Sequence, residues 1–507
     1  MSASAGVPLL SKPQRWLRWL VLLVMLALVA VAHVKIGGLL IAQTNYTDKD
    51  ILGADQKHNL KIALQTRADL KMDFDQGVSE PVKNWFPHRT DGVVNPLWPW
   101  IAAWIADADH VISADGEVTD QDRAFFNRGR WFHIGWTLGM LLVLGVVASR
   151  YFTLGGTLSV VLLTGFGALL PRAAYFQPEP VFFVLFAITW LACMCALQQN
   201  SLWMHALIGV FGGLAYLAKG SVEPLLFLYV VISTLRWMWG WVETLRPGQG
   251  STTLWLRRNH WIALFILFFC YFMTAGPRLT YAAKTYGNPF HSYPSYWMWF
   301  DDFKDCFAWM DAHNTKAELQ AMKPEDKPGF KKYAATHTSE QMIQRLVDGT
   351  KVKVMELLWP GKTPSSKVPK PWKGVLELRG VYLGALLFIF LGTCVALCFA
   401  TRRPDHAAQR VHPETTTQVL FVIGAVVGYS LAYGWYTPIG RGDRFMLSLY
   451  APLVISLVWG AESALRRARR RQASAWLFQV YHAAQWLLVA SIGWRLIEIW
   501  QFPYFRN

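Results

Sequence analysis

An aspartate stands at the start of an amphipathic segment in the first polar stretch of the chain. In "ADQKHNLKIALQT" the apolar residues Leu60, Ala63 and Leu64 recur at the spacing of one helix face, which predicts a helix that begins near Asp55. A carboxylate at that end stabilises the helix dipole, so one interpretation makes Asp55 a helix cap. The other makes it an acid available for general acid–base chemistry. The segment by itself favours the cap.

Two short turns between apolar runs carry charges of both signs. Arg172 precedes "QPEPVFF", in which two prolines break the helix and hold Glu179 at the rim. In "LAKGSVEP", Lys219 and Glu223 lie at the junction of two helices. A lysine beside an exposed helix N-terminus could bind a phosphate. An equally good interpretation is that Lys219 only extends its ammonium group from the membrane edge into water.

A third turn concentrates arginine. The segment "TPIGRGDRF" holds Arg441, Asp443 and Arg444 next to an apolar run. Arginine pairs with phosphate through two parallel hydrogen bonds, so two arginines at a membrane edge favour anion binding, with a lipid phosphate as the expected anion.

Histidines and aspartates near the helix that begins at Asp55 could bind a divalent cation as a cofactor. His58 and His88 could join Asp55 and Asp91 around a metal, although their spacing matches no recognised ligand pattern. The "DKD" triplet at 48–50 could hold a divalent ion, but such triplets are common in solvated loops. No cofactor is therefore predicted with a defined ligand set.

The composition indicates that these residues sit on a membrane protein. Of 507 residues, 53% are hydrophobic and only 16% charged, and the 26 Trp and 18 Tyr suit lipid–water boundaries. The net charge of +16 lies largely in short loops such as "RRARRR", as the positive-inside rule predicts, so no nucleic-acid partner is expected. The sequence predicts an all-α polytopic membrane protein in which residues 1–507 form a single domain.

About eleven transmembrane helices are predicted from the apolar runs. They cover residues 16–42, 131–149, 154–171, 180–198, 202–218, 221–241, 260–276, 378–400, 417–435, 445–462 and 475–496. Alternating them places the N-terminus and the basic short loops in the cytoplasm. The outer side then receives two long loops, residues 43–130 and 277–377, which contain short interfacial helices.

Seven segments, in this order, resemble motifs of one enzyme family. They are "ADQKHNLKIA", "DGVVNPLWPWIAAW", "NRGRWFHIGWTL", "LPRAAYFQPEPVFFVLF", "GGLAYLAKGSVEPLL", "YGNPFHSYPSYWMWFDDF" and "GDRFMLSLYAPLV". Their order and their predicted sidedness resemble the GT-C superfamily of membrane glycosyltransferases. The likeness is greatest to the bacterial branch of protein O-mannosyltransferases and the lipid A aminoarabinose transferase.

This resemblance implies inverting transfer of a sugar from a polyprenyl-phosphate donor to an acceptor on the outer face of a bacterial inner membrane. It implies that Asp55 is the general base or orients the acceptor. Arg172, Lys219, Arg441 and Arg444 would bind the donor phosphate. Further candidates for the substrate pocket are His58, Asp91, Glu179, Glu223, Tyr286 and Asn288.

Two other function classes remain open at this point. A transporter or flippase for lipid-linked glycans would also use basic residues, but it should place charged or helix-breaking residues at mid-membrane depth. A non-catalytic assembly subunit with the same fold would tolerate loss of Asp55. The sugar, the carrier length, the acceptor (protein, lipid A or another envelope glycan) and the oligomeric state are not predicted.

Overall fold

A computed structural model describes most of the chain. The described residues are 12–47, 54–75, 86–107, 109–110, 119–199, 201–244, 259–323, 325–358, 370–400, 413–440, 442–470 and 475–501. Within these ranges the chain forms helices and turns and no β-strand, as the sequence predicts for an all-α polytopic membrane protein.

Nineteen α-helices follow one another along the described ranges. The first nine are α1 (Lys12–Thr47), α2 (Ala54–Asp75), α3 (Leu97–Ile105), α4 (Asp120–Ala148), α5 (Leu154–Leu162), α6 (Leu170–Ala173), α7 (Glu179–Gln199), α8 (Leu202–Ala218) and α9 (Glu223–Thr244). The other ten are α10 (His260–Tyr286), α11 (Tyr293–Trp297), α12 (Phe303–Ala312), α13 (Lys316–Ala321), α14 (Phe330–Thr336), α15 (Ser339–Leu358), α16 (Lys370–Ala400), α17 (Pro413–Trp435), α18 (Tyr450–Arg470) and α19 (Ala475–Trp500). A π-helix, Leu163–Leu169, joins α5 to α6, and 3₁₀ turns occupy Gly220–Val222 and Asp443–Leu449.

Nine helices of the described chain are long and apolar enough to cross a membrane, which makes this an integral membrane protein. The first, Trp16–Ala42, has the predicted bounds. Two predicted spans fall outside the nine. Helix α8 is shorter than the others, and α19 carries polar and indole side chains that lower its hydropathy. The total of eleven therefore remains a prediction.

The central spans are enclosed by protein and the outer ones face their surroundings. Nearly all side chains of Leu154–Ala173 are buried, whereas most of Leu378–Cys398 is not. Exposed residues of that outer span include Phe388 and Val395. Exposing this much apolar surface to water is unfavourable, and contact with lipid removes that cost.

Helices α2, α3 and α11–α15 belong to the two long loops. Hydrogen bonds join these loops to the turn after α6, to the end of α8 and to the turn after α17, and we call this end of the bundle the loop end. Helix α10 also extends into this region, because it continues past Pro277 to Tyr286, although the apolar run ends near residue 276. The loop end is thus a layer of helices and turns over the bundle.

Close packing of α8 on α10 holds together two helices of the bundle that lead into this layer. Gly213 of α8 lies against Thr274 and the carbonyl of Tyr271 on α10. A methyl group at Gly213 would lie 2.7 Å from Thr274 Cβ and 3.2 Å from that carbonyl oxygen. Small residues let helix backbones approach closely in a membrane, so Gly213 sets the spacing of the two helices.

We predict that Gly213→Ala destabilises the protein by about 1–3 kcal/mol, because the added methyl group forces α8 and α10 apart. Thermal unfolding in detergent measures the effect. The matched control is Gly276→Ala on α10, where no atom lies within 4 Å of the new methyl group. That variant should be as stable as the wild type or more so, because alanine favours the helix by up to about 1 kcal/mol. Equal melting temperatures of the two variants would contradict the role of Gly213.

Candidate functional site at the loop end

A buried carboxylate occupies the start of α7. Glu179 is the first residue of that helix and is almost fully buried. Its Oε1 accepts a hydrogen bond of 3.1 Å from Nζ of Lys219, which follows the last residue of α8. The other carboxylate oxygen, Oε2, has no hydrogen-bond partner among the described residues. A charge can remain buried only when it is paired, so Lys219 holds the ends of α7 and α8 together.

Two arginines add to this pair. Arg172 at the end of α6 and Arg444 both interact electrostatically with Glu179. The Phe445 ring lies under the cations, with Lys219 Nζ at 4.9 Å and Arg444 Cζ at 5.2 Å from its centroid. We call Arg172, Lys219 and Arg444 the basic cluster. Lysine and arginine are the side-chain types that bind phosphate in proteins, so the basic cluster is a candidate anion site.

The turn that carries Arg444 is clamped by the second long loop. Lys353 of α15 is fully buried and donates hydrogen bonds to Glu356 (2.9 Å), to the carbonyl of Gly440 (2.8 Å) and to that of Gly442 (3.3 Å). Glu356 Oε1 accepts the Gly442 N–H at 3.2 Å. Gly442 has φ of +108°, which favours glycine. The clamp therefore fixes the backbone just before Arg444.

The first long loop reaches the basic cluster through α2. Gln56 Oε1 accepts a 2.8 Å hydrogen bond from the backbone N–H of Phe176, in the turn between Arg172 and Glu179. The first turn of α2, which includes Asp55, is thereby attached beside the cluster. The side chain of Asp55 and the whole of Arg441 lie outside the described part of the structure.

A histidine and an aspartate form a second polar group nearby. His58 Nε2 is hydrogen-bonded to Asp91 Oδ2. The other carboxylate oxygen, Oδ1, accepts the N–H groups of Val93 (2.9 Å) and Val94 (2.8 Å). Burial works to raise the pKa of Asp91, but the hydrogen bond and charge of His58 and the two amides outweigh it and lower that pKa below its ordinary value.

The two long loops meet beside this pair. Tyr286 donates a 3.3 Å hydrogen bond to the carbonyl of Thr90, and the N–H of Tyr293 donates to the Gly92 carbonyl at 2.9 Å. The His291 ring is stacked on Tyr286 at 4.2 Å. Burial and the nearby charge of Asp91 raise the pKa of Tyr293 to about 12, so its hydroxyl stays protonated.

A buried arginine connects the second group to the basic cluster. Arg278 is almost fully buried near the loop end of α10, and it donates to the His291 carbonyl at 2.9 Å and to the Tyr216 hydroxyl. The carbonyl of Tyr216, three residues before Lys219, accepts a 2.8 Å hydrogen bond from Asn95. Both groups of residues are therefore parts of one bonded layer.

Three further residues predicted as site candidates have other partners. Glu223 at the start of α9 is bonded to Tyr271 and interacts electrostatically with Arg278. Asn288 accepts the Phe290 N–H at 2.9 Å and shapes a turn. His88 is bonded to the Phe86 carbonyl at 2.8 Å. Among the described residues, no three His, Cys, Asp or Glu side chains come close enough to hold a metal ion.

Arg278 and Lys353 are not among the site residues predicted from the sequence. A signal existed for Arg278, because a charged residue at the end of an apolar run is costly unless it has partners. No sequence signal indicated that Lys353 is buried, since a lysine in the amphipathic helix α15 is expected to be solvated.

No protein family model and no curated protein matches this chain.

We predict that His291 makes the loop end sensitive to acid. Burial and the charge of Arg278 lower the pKa of His291 to about 4, below its unfolded value of 6.5. Between these values the unfolded chain binds a proton that the folded protein does not, so stability falls as the pH falls from 6.5 to 4.

His291→Phe keeps an aromatic ring against Tyr286 and removes this titration. Between pH 7 and pH 4.5, the wild type should lose more free energy of unfolding than the variant, by on the order of 2 kcal/mol. Denaturant titration in mixed detergent micelles measures the difference. His88→Phe, at a partly exposed histidine, serves as the control. Parallel pH dependence in wild type and His291→Phe would contradict the prediction.

Proposed function

We propose that this protein is a membrane glycosyltransferase of the GT-C type. It transfers a sugar from a polyprenyl-phosphate donor to an acceptor on the outer face of the membrane, with inversion at the anomeric carbon. The loop end is the outer, periplasmic face of a bacterial inner membrane in this proposal, and the N-terminus is cytoplasmic. The donor and the surrounding membrane lipids are the expected partners, and the acceptor is left unassigned.

One observation carries the proposal, namely the convergence of the basic cluster beside the first turn of α2. Arg172, Lys219 and Arg444 come from three distant parts of the chain, and each was a candidate for binding the donor phosphate. They share one partner, Glu179. The attachment of Gln56 to Phe176 brings the helix that carries Asp55 to the same place.

The basic cluster supplies cations that can stabilise the leaving phosphate. As the bond between the sugar and the phosphate breaks, negative charge grows on the polyprenyl phosphate. Cations that are already fixed in a partly desolvated place stabilise that charge more in the transition state than in the ground state. Helix ends at the membrane boundary also match the depth of a phosphate whose isoprenoid chain lies in the bilayer.

Asp55 serves the acceptor in this proposal. The attacking hydroxyl must lose its proton as it bonds to the anomeric carbon, and a carboxylate within hydrogen-bond reach can orient that hydroxyl or take the proton. Position 55 suits either role, because a helix N-terminus favours an ionised carboxylate.

The first test removes the ammonium group of the basic cluster. Purified wild type is assayed with a panel of radiolabelled pentose and hexose polyprenyl phosphates, and envelope glycolipid and protein fractions serve as acceptors. We predict that Lys219→Met lowers kcat/KM for the donor by about 10²–10³-fold, because a preorganised cation is lost from the leaving phosphate.

Lys219→Met also leaves Glu179 buried without its partner, so Lys219→Met with Glu179→Gln is tested in parallel. The double variant removes one charge of each sign, so no carboxylate is left buried without its partner, and it should be equally impaired. The control is Lys351→Met, at an exposed lysine of α15 outside the cluster. A fully active double variant would refute a donor phosphate at Lys219.

The second test concerns Asp55. We predict that Asp55→Asn lowers kcat for sugar transfer by about 10²-fold or more with little change in donor KM, because the amide cannot accept the proton or orient the hydroxyl as a carboxylate does. Asp311→Asn, at an exposed aspartate of the second long loop, is the control. Full activity of Asp55→Asn would refute a role of Asp55 in the transfer. Absence of transfer by the purified wild type would favour a non-catalytic subunit, and donor translocation without product would favour a flippase.

A further inference from the structure

The turn that joins α4 to α5 is held by arginines from two other helices. This turn lies at the end of the bundle opposite the loop end, because α4 starts in the first long loop and is long enough to cross the membrane. Arg18 Nη2 donates hydrogen bonds of 2.6 Å to the carbonyls of Ser149 and Phe152. Arg466 Nη1 donates one of 2.9 Å to the carbonyl of Tyr151. Both arginines are therefore fixed against the α4–α5 turn.

A buried carboxylate ties the same turn to α18. The two oxygens of Glu462 each accept the N–H of Thr153 at 3.0 Å, and Oε1 also accepts the Thr153 hydroxyl at 2.7 Å. Oε2 pairs with Arg466 at 3.3 Å. Thr153 is the N-cap of α5, so the carboxylate lies at the positive end of a helix dipole. One arginine and a helix N-terminus thus balance the charge of Glu462.

Two further arginines extend from this end of the bundle. Arg150 is exposed in the α4–α5 turn, and its side chain has no hydrogen bond or ion pair with any residue that the structure describes. Arg467 is exposed in α18 and donates a 3.3 Å hydrogen bond to the hydroxyl of Thr415. We call Arg18, Arg150, Arg466 and Arg467 the far-end arginines. Near the turn, the described side chains comprise these four cations and a single carboxylate, so they carry net positive charge.

The depth of the far-end arginines matches that of phospholipid phosphates. Arg18 is two residues after the start of the first span, Arg150 is two residues after the end of α4, and Arg467 is one residue before the end of the span in α18. At the edge of a bilayer, the phosphates of anionic lipids attract basic residues near the ends of spans. Arginine can bind such a phosphate through two parallel hydrogen bonds.

Apolar surface that could hold acyl chains adjoins these arginines. Because Arg18 of α1 is bonded to the turn that follows α4, the two helices are neighbours at this end. Both expose apolar side chains within their spans, Leu20 and Leu23 on α1 and Val143 and Val147 on α4. A soluble phosphate would contact only the arginines, whereas a phospholipid would contact the arginines and this surface together.

We propose that the far-end arginines bind the phosphate of an anionic phospholipid whose acyl chains lie along α1 and α4. Arg150 contacts the phosphate, while Arg18 and Arg466 fix the turn that carries it. The bound lipid joins α1, α4 and α18 at this end and stabilises the folded protein. This inference requires only the membrane location of the chain and is independent of the proposed transferase activity.

Lipid titration of the purified, delipidated full chain tests this inference, with native mass spectrometry as the readout. The wild type should bind phosphatidylglycerol more tightly than phosphatidylcholine with the same acyl chains, and ammonium acetate should reduce the difference by screening. We predict that Arg150→Gln weakens phosphatidylglycerol binding about fivefold, because one cation near the lipid phosphate is lost. Arg150→Gln combined with Arg467→Gln should weaken it by about 25-fold, since effects at separate exposed sites add.

The matched control is Arg123→Gln, at an exposed arginine near the other end of α4. It removes the same charge from the same helix at the loop end and should bind phosphatidylglycerol as the wild type does. All three variants should melt like the wild type in phosphatidylcholine nanodiscs, because they leave the bonds of Arg18, Arg466 and Glu462 to the turn intact.

Three results would overturn the inference. The first is equal affinity of the wild type for the two lipids, and the second is unchanged phosphatidylglycerol binding by the Arg150 and Arg467 double variant. The third is equal weakening by Arg123→Gln and Arg150→Gln, which would indicate general charge attraction in place of a site. Glycerophosphoglycerol, which is the headgroup without acyl chains, is added as a competitor. Displacement of the lipid by this compound with an affinity similar to that of the lipid would refute a lipid site and indicate one for a soluble phosphate ester.

Discussion

The arrangement of the loop end depends on keeping one carboxylate buried at the edge of an apolar bundle. Glu179 can occupy the start of α7 only because Lys219 reaches it from the end of α8 and because Arg172 and Arg444 are near. Each of these cations comes from a different turn, so satisfying one charge brings three turns together. Lysine and arginine are also the residue types that bind phosphate, so stability and the proposed anion binding would share one set of residues.

The layer above the bundle is organised in a similar way, with buried cations bonded to backbone carbonyls. Arg278 joins α10 to the His291 carbonyl, and Lys353 joins α15 to the turn at Gly440–Gly442. Arg345 donates to three carbonyls in the same manner, those of Met298, Phe300 and Trp435. Carbonyls in irregular turns lack helix partners, and charged donors stabilise them strongly. These three side chains therefore shape the loops together with a small apolar cluster that includes Tyr293, Trp297 and Cys306.

Part of this site could be predicted from the sequence. The helix that starts near Asp55 and the membrane spans follow from periodicity and hydropathy. Lys219, Arg172 and Arg444 could be predicted as site residues because charges at the ends of apolar runs are costly unless they have partners or a function. Their common partner could not be predicted, because which helix ends adjoin depends on packing such as that at Gly213. The sequence grouped His58 with Asp91 only as candidate metal ligands. Their direct hydrogen bond could not be predicted, since 33 residues separate them and the loop between them follows no periodic pattern.

The contacts of the loop end also have a consequence for biosynthesis. Gln56 is bonded to a residue 120 positions later, Asn95 to one 121 positions later, and Lys353 to one 87 positions later. During synthesis, helices enter the membrane between the two partners of each of these hydrogen bonds. The earlier partner therefore cannot form its hydrogen bond until the later one has been synthesised. The cluster at Glu179 is completed only when Arg444 and Phe445 have emerged. Assembly of the site is therefore a late event, and intermediates of membrane insertion lack it altogether.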